Sequence, residues 1–182
     1  PGSRKIELKL IVPLMAEIAD ANKDIQFVVA AVSNLPGELY RALKTRTNVS
    51  FVEGETYDLL NNADAAIVTS GTATLETALF KVPQVVVYKT SGLEYAIASS
   101  LVKVQFISLV NLIAGKEVIR ELIQDKATKE IVNAELMKLL NDQQYYTTVK
   151  SEYAKLYNQL DTGSASENAA RLHRQFRNRR MK

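Results

Sequence analysis

Short apolar runs rich in β-branched residues alternate with stretches of helical periodicity, and few architectures accept that pattern. The runs at 25–32, 49–52, 65–68 and 84–88 each read as a strand. The first and last lack steady polar alternation, which predicts strands buried on both faces. Helices are expected at 37–44, 56–61 and 72–80. Another precedes the first strand, carrying Ile6, Leu10, Leu14, Ile18 and Ala21 at helical spacing. Short apolar strands alternating with helices of this length predict the α/β class: a parallel sheet with helices on both faces. Beyond the last strand, 92–103 reads as helical and 105–108 as extended. From Lys116 helical periodicity dominates to the end, beginning with a helix at 116–122 and broken at 125–128 and 161–163. No internal repeat or low-complexity segment interrupts the scheme.

A chain of 182 residues suits one domain with a full core. Hydrophobic residues at 47% and charged residues at 24% exclude disorder and coiled coil. No apolar run approaches the roughly 20 residues of a spanning helix, and the start, Pro1-Gly2-Ser3-Arg4 without Met, reads as a cut end. With no Cys and one His, thiolate chemistry and His-based dyads or zinc sites are poor fits. Six of the 23 basic residues and no acid fall in 171–182; the other 17 face all 20 acids, so the net charge of +3 belongs to the tail. Such a block suits phosphates or an anionic membrane surface, or is simply a solvated helix end.

In open parallel sheets ligands meet loops at the carboxyl ends of strands, where helices begin. Ser70-Gly71-Thr72-Ala73-Thr74-Leu75-Glu76 fits that place best. Gly71 permits close backbone approach, and the free N–H groups and dipole of the following helix favour an anion. The plainer alternative is an ordinary N-cap at Thr72. A capping-box acid would then stand at position 75, so Glu76 is free for other work, either accepting two ribose hydroxyls or simply sitting favourably near the helix dipole. Ser3 and Arg4 form a second helix start, where a guanidinium opposes the dipole unless an anion sits there; the plainer alternative is a surface Arg at a chain end. Asn111, amid apolar residues, either ties down a loop or reaches a ligand. Lys89 leaves a strand end and is either solvated or a phosphate contact. His173 reads as an exposed tail residue. Tyr145, Tyr146, Tyr153 and Tyr157 read as packing on a C-terminal helix pair, with no aromatic and basic stripe suited to nucleic acid.

One ordered set carries a family resemblance: Pro1-Gly2-Ser3-Arg4, Ala63-Asp64-Ala65 leading to Ser70 through Glu76, Pro83 with Val86-Val87-Tyr88-Lys89, Leu101-Val102-Lys103, Ser108 through Gly115, and Glu121-Leu122-Ile123-Gln124. Nearly the whole chain resembles the C-terminal half of the lipid-A-disaccharide synthase family. The resemblance implies a Rossmann-like domain of a B-type glycosyltransferase at 1–160, holding the UDP-sugar, then a basic helical tail at 161–182 that packs across a domain or subunit boundary. It implies transfer of 2,3-diacylglucosamine from UDP to 2,3-diacylglucosamine 1-phosphate in lipid A and lipopolysaccharide biosynthesis of Gram-negative cells. Arg4, with Ser3, and the Ser70-Gly71-Thr72 amides would meet the diphosphate, with Lys89 beside them; Glu76 would hold the ribose and Asn111 line the donor pocket.

The family's N-terminal acceptor domain, with its acidic general base and lipid contacts, is absent from this stretch, so no catalytic residue is assigned and the fragment alone is expected to be inactive. No metal or other cofactor is expected, since helix amides and Arg can stabilise the UDP leaving group. The implied setting is cytoplasmic, peripheral on the inner membrane, with a homodimer interlocked through C-terminal segments. Two alternatives compete: another UDP-sugar enzyme of the same fold, such as a UDP-N-acetylglucosamine epimerase, and a non-catalytic interaction domain whose helix starts are merely capped.

Overall fold

A computed structural model describes residues 1–91 and 105–160. The expected helix at 92–103, the Leu101-Val102-Lys103 element, His173 and the basic tail lie outside them. The described order is α1 (Lys5–Ala21), β1 (Phe27–Ala31), a 3-10 turn (Gly37–Tyr40) running into α2 (Arg41–Lys44), β2 (Val49–Glu53), α3 (Thr56–Asn62) and β3 (Ala66–Thr69). Then come α4 (Thr72–Leu79), β4 (Gln84–Tyr88), α5 (Leu109–Ala114), β5 (Glu121–Ile123), a 3-10 turn (Gln124–Lys126), α6 (Lys129–Asn141) and α7 (Gln143–Leu160).

All strand pairs are parallel, as the alternation predicts, but among the described residues they form two sheets. One is β1 with β2, in the register Phe27 opposite Val49. The other has the order β3-β4-β5, with Ala66 opposite Gln84 and Val86 opposite Glu121. The division explains a difference in burial. β4 has a strand on each side and α1, α4 and α6 packed near it, and Val85, Val86 and Val87 are fully buried. β1 has one strand neighbour, and Val28 is 37% exposed rather than buried on both faces.

α1 links the two sheets. Its apolar stripe, Leu8, Ile11, Val12, Leu14, Met15 and Ile18, joins one core with Val29 of β1, Val85–Val87 of β4, and Val132, Leu136 and Leu139 of α6. Pro13 removes one helical hydrogen bond but falls on the exposed side, where water can satisfy the freed carbonyl. α7 completes the C-terminal helix pair against α6 and reaches α4 and α5. Of its expected packing tyrosines, Tyr153 is buried and Tyr157 is 48% exposed.

One expected helix is replaced. Residues 109–114 are helical, and the stretch read as a helix at 116–122 is an irregular turn followed by β5. Asn111 decides this. Its Oδ1 accepts the N–H groups of Val118 and Ile119 at 2.8 and 3.1 Å, and its Nδ2 donates to the Ile119 carbonyl at 2.8 Å. Backbone groups so occupied are unavailable to a helix, and the chain continues as a strand against β4, whose Val86 N–H donates to the Arg120 carbonyl. The stretch 105–108 forms no strand; Ser108 is extended and caps α5.

Candidate functional site at the carboxyl ends of β3, β4 and β5

The β3 loop is built around Ser70 and Gly71. The Ser70 N–H donates to the Val87 carbonyl at 3.2 Å, extending the β3–β4 ladder by one residue. Its hydroxyl donates to the Ile107 carbonyl at 2.9 Å. Gly71, not Thr72, is the N-cap of α4; its φ of 155° lies where L residues are rare, while a Cβ there would meet open space. Conformation rather than crowding therefore requires glycine at this turn. No side chain caps α4. Thr74, at the third helical position, turns its hydroxyl and N–H back onto the Gly71 carbonyl, which leaves the N–H groups of exposed Thr72 and Ala73 without intrahelical acceptors. These two donors and the positive end of the helix dipole make a compact anion seat.

Glu76 stands one turn further along, at i+4 from Thr72 and i+3 from Ala73, hence on the face of the seat. It is half-buried, and its carboxylate forms no hydrogen bond or ion pair with any described residue. With the N-cap at Gly71, it is two positions beyond a capping-box acid. Lys89, just past β4, is half-buried and has no ion pair among the described residues. The next peptide, Thr90, is held by the Gln124 side chain, which accepts its N–H and donates to its carbonyl, both at 3.2 Å.

Asn111 joins the cluster from α5. It is completely buried, and both amide donors and its oxygen are engaged, by Ile119, Glu121, Val118 and Ile119. In this arrangement it ties down the loop. Among the described residues no hydrogen bond or ion pair joins Ser3 and Arg4 to the β3 and β4 loops. Their backbone N–H groups both donate to Glu7 Oε2, at 3.0 and 3.1 Å, and the Arg4 guanidinium meets Glu7 Oε1 at 3.2 Å. Glu7 thus neutralises the unfavourable charge at this helix start, while the Arg4 side chain stays 75% exposed and open to a further anion. Glu7 also explains Gly2, where an added Cβ would come within 2.5 Å of Glu7 Oε2.

Sequence reasoning missed Glu7, Glu121 and Gln124 as individuals. The signal for Glu7 was its position three residues after the helix start, the capping-box spacing. Glu121 and Gln124 had no local signal, since their partners are 10 to 34 residues away. Among the described residues no three His, Cys, Asp or Glu side chains gather as metal ligands, and no helix is long and apolar enough to cross a membrane. Two surface concavities of about 680 and 640 Å³ lie on α7 and between α6, α7 and the 116–120 turn, away from the seat.

Residues 1–175 match the family described as lipid-A-disaccharide synthetase. The lipid-A-disaccharide synthase of Anaeromyxobacter dehalogenans (strain 2CP-C) is 44% identical over 149 residues, covering 78% of this chain and 39% of that protein. That of Syntrophus aciditrophicus (strain SB) is 38% identical over 177 residues, covering 93% and 46%. That of Geobacter sulfurreducens (strain ATCC 51573 / DSM 12127 / PCA) is 36% identical over 176 residues, again covering 93% and 46%. The chain therefore spans less than half the length of these relatives.

Proposed function

The chain belongs to the lipid-A-disaccharide synthetase family, and from that premise we propose that it is the donor-binding half of a glycosyltransferase that takes 2,3-diacylglucosamine from UDP to 2,3-diacylglucosamine 1-phosphate. The products are lipid A disaccharide 1-phosphate and UDP. The bond between the anomeric carbon and the diphosphate oxygen breaks with its electron pair going to UDP. An acceptor hydroxyl forms the new glycosidic bond and gives its proton to a carboxylate outside this stretch. The observation that carries the reading is the uncapped start of α4, with Thr72 and Ala73 amides presented to an anion and a carboxylate, Glu76, one turn along that no described residue engages.

In this reading the diphosphate rests on the Ser70-Gly71-Thr72 turn, with Lys89 and the exposed arm of Arg4 as its cations, and Glu76 accepts the ribose hydroxyls. Charge developing on the leaving group is met by fixed helix dipoles and a guanidinium, which serve without a divalent ion. Asn111 shapes the donor pocket by holding its loop rather than by touching the sugar. The acceptor site and the general base belong to the other half of the enzyme, so this stretch alone transfers nothing. The basic block at 171–182 suits peripheral attachment to an anionic inner-membrane surface on the cytoplasmic side, and the C-terminal segments suit interlocking of a homodimer.

Calorimetric titration of UDP, with ADP as control, tests the reading. Binding selective for UDP is expected, and Glu76→Ala is expected to abolish it while shifting stability by less than about 0.5 kcal/mol, because the carboxylate holds nothing in the fold. Equal binding of ADP, or a large loss of stability with UDP binding unchanged in Glu76→Ala, would return the α4 turn to an ordinary helix start.

A further inference from the structure

The segment from Glu121 to Gln124 closes β5 and reaches two loops at once. Glu121 Oε1 accepts the Ser108 N–H at 3.0 Å, the Ser108 hydroxyl at 2.6 Å and Asn111 Nδ2 at 2.8 Å; Oε2 accepts the Ile107 N–H at 2.8 Å. The Ile107 carbonyl in turn accepts the Ser70 hydroxyl. The Ile107–Ser108 peptide is thus clipped on its N–H by Glu121 Oε1 and on its carbonyl by the residue that opens the anion seat, and the Ile107 N–H is held by Glu121 Oε2. Three residues on, the Gln124 carboxamide pairs with both polar groups of the Thr90 peptide, next to Lys89. Gln124 does so from φ 50°, a conformation uncommon for a residue with a side chain.

We propose that Glu121 and Gln124 are positioning residues of the nucleotide-sugar site: Glu121 sets the Ser70-Gly71-Thr72 turn through Ile107, and Gln124 sets Lys89 through Thr90. The roles rest on the donor-binding reading above; the hydrogen-bond relay does not. An ionised carboxylate suits the first position because it offers acceptors only, and all four groups facing it are donors. Its negative charge is spread over those four donors, which reduces its repulsion of a neighbouring diphosphate. Glutamine has one oxygen for these donors, so its best orientation keeps the three on Oε1 and turns its NH2 against the Ile107 N–H. The variant Glu121→Gln therefore frees the Ile107 N–H, one of the two backbone contacts that lead to Ser70, and keeps the other, at the Ser108 N–H.

Two measurements on Glu121→Gln and Gln124→Met decide the proposal. In the ligand-free protein, Glu121→Gln is expected to shift the ¹⁵N amide resonances of Ser70, Gly71 and Thr72, and Gln124→Met those of Lys89 and Thr90. With ligand, Glu121→Gln is expected to weaken UDP binding about tenfold and leave uridine within about twofold, because only the phosphate seat has moved. Unshifted Ser70–Thr72 amides in folded Glu121→Gln would overturn the relay. Should that variant fail to fold, Ser70→Ala cuts the relay from its other end, and unshifted Ile107 and Ser108 amides there would overturn it equally. Wild-type protein that binds UDP no tighter than uridine defeats the nucleotide-sugar reading itself. Wild type that does discriminate, with Glu121→Gln equal to it for both ligands, defeats the positioning roles alone.

Discussion

At the scale of single residues, buried polar groups separate those that hold the fold from those free to bind. Tyr153 of α7 is 1% exposed, and its hydroxyl accepts from Gln84 Nε2 at 3.2 Å, which also donates to the Thr74 carbonyl in the first turn of α4. Burial pushes the Tyr153 hydroxyl well above the usual tyrosine range, against a smaller opposing effect of the Gln84 hydrogen bonds. The folded chain then keeps a proton that the unfolded chain sheds near pH 10, so this contribution is complete below pH 10 and lost as pH rises beyond it. Thermal unfolding between pH 9 and 12 should show a steeper loss of stability in wild type than in Tyr153→Phe, which has no proton to lose; parallel slopes would show that Tyr153 does not govern the alkaline limb. Sequence alone showed that Tyr153 packs on a C-terminal helix, because apolar spacing reveals a face. It did not show Gln84 as a partner of distant groups, and it left Asn111 between tying down a loop, as the structure has it, and reaching a ligand, because a polar residue in an apolar run looks alike whether its partners lie within the chain or in a ligand.

At the scale of elements, strands were legible wherever burial alone shapes the run, and β4 falls on the residues its β-branched run predicts. The error came where a side chain overrides periodicity. Val118, Ile119, Leu122 and Ile123 recur at a spacing that fits a helix face, yet Asn111 has taken the backbone groups such a helix would need, and β4 takes the rest. The helix that does form, α5, ends at Gly115 with φ 65° and ψ 15°, left-handed, with open space where a Cβ would stand. Gly115→Ala should therefore destabilise the protein by about 1–2 kcal/mol through backbone conformation alone, without a clash. Gly115→Asn should lose less, since Asn tolerates this region. Urea unfolding of the two variants checks the ranking, and equal stability of Ala and Asn would point instead to strain elsewhere in the 115–120 turn.

At the scale of the whole molecule, the described strands form two parallel sheets, β1-β2 and β3-β4-β5, joined through the core that α1 shares with both. The seat lies at the carboxyl end of β3, the edge strand of the larger sheet, where the rule for open parallel sheets puts ligand sites. The division also predicts unequal stability. β4 is sealed by two strands and several helices, whereas β1 has one strand neighbour among the described residues and shares a core with α1 through Val29. Fewer buried apolar contacts mean a lower free energy of local opening. Amide hydrogen exchange under native conditions should show β1 and β2 opening together in a sub-global step, while Val85, Val86 and Val87 exchange only through global unfolding. Low urea should bring the two classes together as global unfolding overtakes local opening. Identical protection of β1 and β4 in the absence of denaturant would mean instead that α1 couples the two sheets fully, so that a ligand at the seat would stabilise both by the same amount.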